Sequence, residues 1–209
     1  MEWTFENVIN TEEELRAILG HPNEIVLRKT INHIDDNCRS FIENSPFIVI
    51  GSSDLDGKFD VSPKGDPAGF VKILTDKLLA IPERPGNKKA DTFSNIIQNP
   101  NVGLIFLIPG VKETLRVNGS AKIVTDKKVL ELLICDDKLP AFAVIVEVKE
   151  AFMHCAKCMI RSKLWANNSE STKVAVPSLA KSMVDHTKLD ITLEEMDSLI
   201  KNDEKTNLY

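Results

Sequence analysis

The sequence predicts a mainly β α+β protein: a small antiparallel barrel with helices added at its flanks. Three observations predict it. Short apolar runs of strand length recur between Phe47 and Val148, separated by turn signals. The segment Thr114 to Val124 alternates apolar and polar residues with the period of two that a half-buried strand requires. Helical spacing and helix caps gather before Phe47 and after His154, so helices flank the β-body and interrupt it in places.

The elements follow in chain order. Thr11 followed by Glu14 is a capping box, and Leu15, Ile18 and Leu19 continue at helical spacing. Pro22 can open a second helical stretch that runs on through Ile31, Ile34, Cys38, Phe41 and Ile42. Asn44-Ser45-Pro46 ends it, because the residue before proline avoids the α region. Phe47 to Ile50 reads as a strand, Asp54 to Gly57 as a turn, and Lys58 to Ser62 as the returning strand. Phe70–Leu74 and Leu78–Ile81 form a second strand pair around Asp76-Lys77. Lys88 to Gln98 is a helix with Ala90, Phe93, Ile96 and Ile97 on one side, closed by Asn99-Pro100. Val102 to Ile108 is a buried-type strand, and Pro109-Gly110 a turn. Leu115, Val117, Ala121 and Ile123 mark the buried side of the long strand. Asp126 caps a helix Lys127–Cys135, Ala141 to Val148 is the last strand, and helical pattern resumes after His154 through Leu164 and Trp165. From Pro177 onward short helical signals carry Leu179, Met183, Leu193, Met196, Leu199 and Ile200, and the tail KNDEKTNLY is polar enough to fray. Trp3 and Phe5 are expected to anchor the N-terminal arm on the body or on a partner subunit.

With 209 residues, a single domain spanning 1–209 is expected, with an N-terminal helical extension (1–45) and a C-terminal one (166–209). A net charge of −5 disfavours a general nucleic-acid binder, which needs a basic surface. No apolar run is long enough to span a bilayer. The opening MEWTFENVIN lacks the basic and apolar regions of a signal peptide, so no membrane partner and a cytoplasmic location are expected. Four cysteines do not make a disulfide scaffold in a chain of this length and are expected to be reduced.

Basic residues cluster locally within this acidic chain. Lys64 follows Ser62-Pro63 at a strand end, Lys88 and Lys89 follow Gly86-Asn87, and Arg116 lies at the start of the long strand. A phosphate monoester carries close to two negative charges and is held by cations together with free backbone N–H groups at a helix start. Asn87 as N-cap of the helix Lys88–Gln98 would supply such groups, and Gly86 would permit close approach. On spacing alone the same lysines also read as solvated surface residues.

At these residues the chain resembles the pyridoxamine 5′-phosphate oxidase-like flavoproteins, and within them a subgroup of uncharacterised FMN-dependent enzymes. The resemblance runs from about Phe47 to Trp165. It rests on Ser62-Pro-Lys-Gly-Asp66, Ile81-Pro-Glu-Arg-Pro-Gly-Asn-Lys-Lys89, Asn95-Ile with Asn99-Pro100, and Leu107-Ile-Pro-Gly110. Thr114-Leu-Arg-Val-Asn-Gly119 and His154-Cys-Ala-Lys-Cys with Arg161 to Trp165 complete it. It implies an FMN-binding split β-barrel of antiparallel strands with flanking helices. It also implies a homodimer that carries FMN at the subunit interface and acts as an oxidoreductase on a small molecule. Ser62, Pro63 and Lys64 would contact flavin and phosphate, as would Ile81 and Pro82, then Lys88 and Lys89 beside Asn87. Thr114 would reach the ring from the partner subunit, with Arg116 two positions on, and Arg161 and Trp165 would arrive from across the dimer. Arg116 or Arg161 would stabilise the anionic reduced flavin.

Two departures argue against oxidation of pyridoxamine phosphate itself. The arginine-rich substrate clamp near the C-terminus is missing, and Thr114 stands where a longer amide side chain is usual. An FMN carrier or sensor without turnover is the alternative, followed by a haem- or tetrapyrrole-binding split barrel. His154-Cys155-x-x-Cys158 offers soft ligands or a redox pair. Without a second CxxC to complete a four-ligand zinc site, it reads as packing or as lining of the flavin site. His21, His33 and His186 lack partners at ligand spacing, Glu194, Glu195 and Asp197 read as a solvated helix face, and Asp54 and Asp56 as turn residues.

Overall fold

A computed structural model describes residues 2–165 and 176–207. The segment 166–175, with which the expected C-terminal extension begins, and the last two residues lie outside it. Seven strands form one sheet: β1 (Phe47–Ser53), β2 (Phe59–Gly65), β3 (Lys72–Thr75), β4 (Leu78–Pro82), β5 (Asn101–Leu107), β6 (Thr114–Val124) and β7 (Ala143–His154). Their order is β2-β1-β5-β6-β7-β4-β3, and every pairing is antiparallel. The chain is mainly β, with flanking helices, and the sheet is that of a split barrel.

The split has a local cause. β6 and β7 pair along nearly their whole length, but the register shifts between Asn118 and Gly119. Asn118 faces Glu150 while Gly119 faces Val148, so Lys149 is an extra residue on β7. Such a bulge bends a strand pair and increases its twist. A Cβ on Gly119 would collide with the Glu147 carbonyl, so glycine is what lets the strands close up there. On one side of the bulge β6 continues beside β5, and on the other β7 continues beside β4.

The main core lies inside this curl. Ile48, Ile50, Leu79, Leu104, Phe106, Leu115, Val117 and Val146 are almost wholly buried there. Helix α3 (Asp36–Glu43) and helix α4 (Asp91–Gln98) add Cys38, Phe41, Ile42 and Ile96. The alternation read along β6 matches the structure, with Leu115, Val117 and Ala121 buried and Ile123 half-buried.

Several expected elements differ. The helical stretch after Pro22 is two helices, α2 (Glu24–Arg28) capped by Asn23 and α3 capped by Asp35. Between them Ile31 leaves helical geometry to bridge Ala151 of β7, a tertiary pairing that periodicity does not encode. The helix after Asp126, α5, stops at Glu131, and Asp126 makes no side-chain cap bond. The helix after His154, α6 (Lys157–Ser162), ends where Lys163 turns left-handed. The two C-terminal helices are α7 (Leu179–Thr187) and α8 (Leu193–Thr206). The tail expected to fray is helical to Thr206, because the Thr192–Glu195 capping box starts α8 firmly and Lys201–Asp197 braces it. Helix α1 (Glu12–Leu19) has the expected capping box but buries no residue. Trp3 and Phe5 are 77% and 78% exposed, so the body of this chain does not hold the arm. Among the described residues no helix is long and apolar enough to cross a membrane.

Candidate functional site

A cleft of about 1300 Å³ opens between the edge strand β2, the loop after β4, the start of α4 and the segment entering β7. Ser62, Pro63, Lys64, Pro82, Asn87, Lys88 and Lys89, from three separate stretches of sequence, all line it. Ile81 does not. It is buried at 2% exposure in the main core, one residue before the lining begins.

The walls are apolar and the polar groups are organised around them. The rings of Phe93 and Phe142 meet edge to face at 4.8 Å, and Pro63, Phe70 and Pro82 extend this surface. Lys64 lays its ammonium 4.7 Å from the centre of the Phe93 ring and pairs with Glu83 at 3.1 Å. Glu83 is fixed in turn because its N–H donates to the Phe142 carbonyl at 3.1 Å, carrying the β4–β7 ladder one step further. Arg84 turns beneath the cleft. Its Nε donates to Asp66 at 2.7 Å and its Nη2 to the Leu133 carbonyl at 2.9 Å. The Asp66 side chain is only 2% exposed, so this ion pair is structural ballast for the loop Glu83–Lys89. At the β2 side, Thr92 donates to Asp60, tying α4 to the strand.

The helix-cap expectation for Asn87 is not met. Lys88 and Ala90 both adopt left-handed backbone angles, which a helix interior excludes, and α4 begins only at Asp91. Asn87 instead accepts a bond from the Lys89 N–H at 3.0 Å and folds a local turn. The turn sets Lys88 and Lys89 on the cleft rim. Lys89 pairs with Asp91, and that hydrogen bond raises its pKa and lowers that of Asp91. Lys88 has no carboxylate partner among the described residues.

Thr114, Arg116, Arg161 and Trp165 do not line the cleft. Thr114 is buried opposite His154, and Arg116 sits opposite Phe152. That is the far end of β7, whose 12 residues span roughly 36 Å if straight. Arg116 and Lys29 both approach the Phe152 ring, at 5.1 and 5.4 Å, and Lys29 also donates to the Met153 carbonyl. Neither makes an ion pair among the described residues. His154 is pushed towards its neutral form, first by burial and then by the charges of Arg116 and Lys29. Its Nδ1 and the indole nitrogen of Trp165 are buried without a hydrogen-bond partner among the described residues. Arg161 is exposed on α6.

Asp60, Glu83, Arg84, Phe93, Lys138 and Phe142 also line the cleft and were not singled out from the sequence. Glu83-Arg84 carried a usable signal, since a charged pair between Pro82 and Pro85 cannot continue a strand. Phe142 and Lys138 carried none, because only the fold brings them there.

Comparison with known proteins adds to this geometry. Among solved structures the chain is similar to HupZ of Group A Streptococcus, at 18% identity and a TM-score of 0.47 over 57% of this chain and 93% of that one. It is also similar to general stress protein 26 of Bacillus anthracis, at 17% identity and a TM-score of 0.42 over 55% and 88% of the two chains. An FMN-binding protein of Syntrophomonas wolfei matches at 8% identity and a TM-score of 0.43 over 68% and 96%. No curated protein matches the chain. The family model described as pyridoxamine 5′-phosphate oxidase matches residues 34–152, more than half of the chain and all seven strands but the end of β7. That span contains the cleft and nearly all of the β6–β7 pair, and this chain belongs to the pyridoxamine 5′-phosphate oxidase family.

Proposed function

We propose that the protein is an FMN-dependent oxidoreductase acting on a small molecule, with FMN held in the cleft between β2 and α4. The observation that carries this reading is the convergence of Ser62–Lys64, Pro82 and Asn87–Lys89 on one lining. The donor set suits the cofactor. Flat apolar walls from Pro63, Pro82, Phe93 and Phe142 match an aromatic ring system, and the rim at Lys88 and Lys89 matches a phosphate. The volume exceeds that of a typical small-molecule site and leaves room for a substrate beside the cofactor.

FMN, when bound, supplies the electron transfer, and the protein supplies orientation and electrostatics. Lys88 and Lys89 neutralise the phosphate. Lys64, fixed against Phe93 by Glu83, places one positive charge inside the cleft. The Arg84–Asp66 pair holds the loop that carries these groups.

The functional unit in this reading is a homodimer. Thr114, Arg116, Arg161 and Trp165 are proposed to complete the partner's cleft rather than their own. Among the described residues, nitrogens without partners on His154 and Trp165, beside two cations without carboxylates, suit a surface completed by another molecule. The outward sheet face between the two regions is apolar, with Pro63, Val49 and Ile105 in one cross-strand row leading to Arg116. Such a face suits a two-fold contact.

One observation favours an FMN carrier or sensor as the second reading. Among the described residues no His, Cys or Tyr lines the cleft, so the lining does not itself offer the imidazole most often used to move a proton. Among the described residues the lining likewise carries none of the His, Cys, Met or Tyr side chains that usually hold a haem iron. The test is an absorbance spectrum of the purified protein before and after adding FMN and removing the excess. Flavin bands that stay with the protein are the expected result, and a colourless protein overturns the reading. Reduction by a nicotinamide nucleotide and reoxidation by an acceptor then separate the oxidoreductase from the carrier.

A further inference from the structure

The four cysteines fall into two pairs of different character. All four are free thiols. Cys38 is buried in the core, and burial pushes its thiol up to about 12. Cys135 is half-buried and donates to the Asp66 carboxylate at 3.6 Å. Both are engaged in packing. Cys155 and Cys158 are exposed. They do not line the cleft, and among the described residues no hydrogen bond engages either thiol. The sheet ends at His154, so the turn carrying both cysteines projects beyond it, away from the cleft of its own chain.

The backbone sets their separation. The distance between residues three apart depends on the dihedrals of the two residues between them. Ala156 has φ −70° and ψ −4°, and Lys157 is the first residue of α6. Two successive residues of this kind make a tight turn that brings the flanking Cα atoms within about 7 Å. A disulfide needs roughly 4.4–6.8 Å between them. Among the described residues no third His, Cys, Asp or Glu joins the pair at metal-binding distance, which leaves two thiols facing solvent on one turn.

The surroundings select the reagent. Between Ala151 and Trp165 the chain carries Lys157, Arg161 and Lys163 and no Asp or Glu. Arg116 and Lys29 add charge from the strand side, without carboxylate partners among the described residues. Such a field favours the approach of an anionic disulfide.

We infer that Cys155 and Cys158 form a redox-active dithiol that closes to an intramolecular disulfide by exchange with an anionic low-molecular-weight disulfide. One thiolate attacks the reagent, forms a mixed disulfide and expels the first reagent thiolate. The second cysteine then attacks the protein sulfur of that mixed disulfide and expels the other. Two protein thiols are oxidised by two electrons, one reagent disulfide is reduced to two thiols, and the two protein protons pass to the departing thiolates. The pair would thus store two electrons at the outer end of β7.

The experiment uses the full chain and oxidised glutathione as the probe. Samples are equilibrated over a range of glutathione redox ratios, quenched, alkylated and read by peptide mass spectrometry. The expected product is a peptide holding both cysteines that has lost two hydrogens and carries no adduct, with Cys38 and Cys135 still alkylated after unfolding. The conversion follows the square of the reduced glutathione concentration, as an intramolecular disulfide requires. Cys155→Ser and Cys158→Ser each leave the remaining cysteine as a persistent glutathione adduct, and both positions are exposed enough to keep the fold, checked by circular dichroism. Independent adducts on both cysteines of the native protein would overturn the inference. So would a disulfide between chains on a non-reducing gel, or two thiols that remain alkylated in excess oxidised glutathione.

Discussion

At the cleft, cations meet carboxylates within the same chain: Lys64 meets Glu83, Arg84 meets Asp66 and Lys89 meets Asp91. At the outer end of β6 and β7, among the described residues, they do not. Arg116 and Lys29 share the Phe152 ring, and two ring nitrogens, on His154 and Trp165, are buried without partners among those same residues. A buried polar group left unpaired costs on the order of 1–3 kcal/mol. The difference teaches that the cleft's cations are already matched within one chain, whereas those at the outer end are left for the proposed partner to match.

The largest expected effect breaks the matched end. Asp66→Ala leaves Arg84 mostly buried without its carboxylate, and a broken buried pair costs about 3–5 kcal/mol. Urea denaturation should register that loss, while Arg116→Ala, which breaks no ion pair, should change stability by less than about 0.5 kcal/mol. Equal losses would erase the contrast.

The next effect concerns the ligand. Replacing Lys88 and Lys89 together by Ala removes the charged rim and should weaken FMN binding by roughly 30-fold or more, read by fluorescence titration. An unchanged affinity would put the phosphate elsewhere.

The outer end has its own signature in pH. His154 has a pKa lowered from 6.5, first by burial and then by Arg116 and Lys29. Below 6.5 the unfolded chain takes up a proton that the folded chain resists, so stability is full above 6.5 and is lost as pH falls towards the lowered folded value. Denaturation on either side of that pH should show the slope, and His154→Gln should flatten it. Persistence of the whole slope in the variant would assign it to another group.

The smallest effect unmatches one cation at the cleft. Glu83→Gln frees Lys64 for an anion and should tighten FMN binding by roughly two- to fivefold, the range of a modest ion pair. Weaker binding would show that Glu83 positions Lys64 rather than competing for it.

Much of this was legible in the chain. The ends of β6 at Thr114 and Val124 follow from strict alternation, and the caps at Thr11 and the break at Pro46 follow from local chemistry. Seven of the expected site residues share one lining although β2 and β4 stand towards opposite ends of the strand order, because the curl of the sheet brings them to one place. What local pattern could not show were contacts made by distant segments: the Ile31–Ala151 bridge that divides α2 from α3, and Phe142 closing on Phe93. Nor did it show the left-handed residues Lys88 and Ala90 that delay α4 and take Asn87 away from its cap. Helical spacing at Phe93, Ile96 and Ile97 was real, but spacing alone does not locate the first turn.

The central claim is that each FMN site combines one chain's cleft with the other chain's outer end. Mixing two variants tests it most directly. The Lys88→Ala, Lys89→Ala chain lacks the rim, and an Arg116→Ala, Trp165→Ala chain lacks the outer end. Each should bind FMN weakly alone. After subunit exchange, a hybrid dimer pairs the intact cleft of the second chain with the intact outer end of the first, and the account predicts that tight FMN binding returns in the mixture. A mixture that binds no better than its two components, under conditions where exchange is verified, would contradict it.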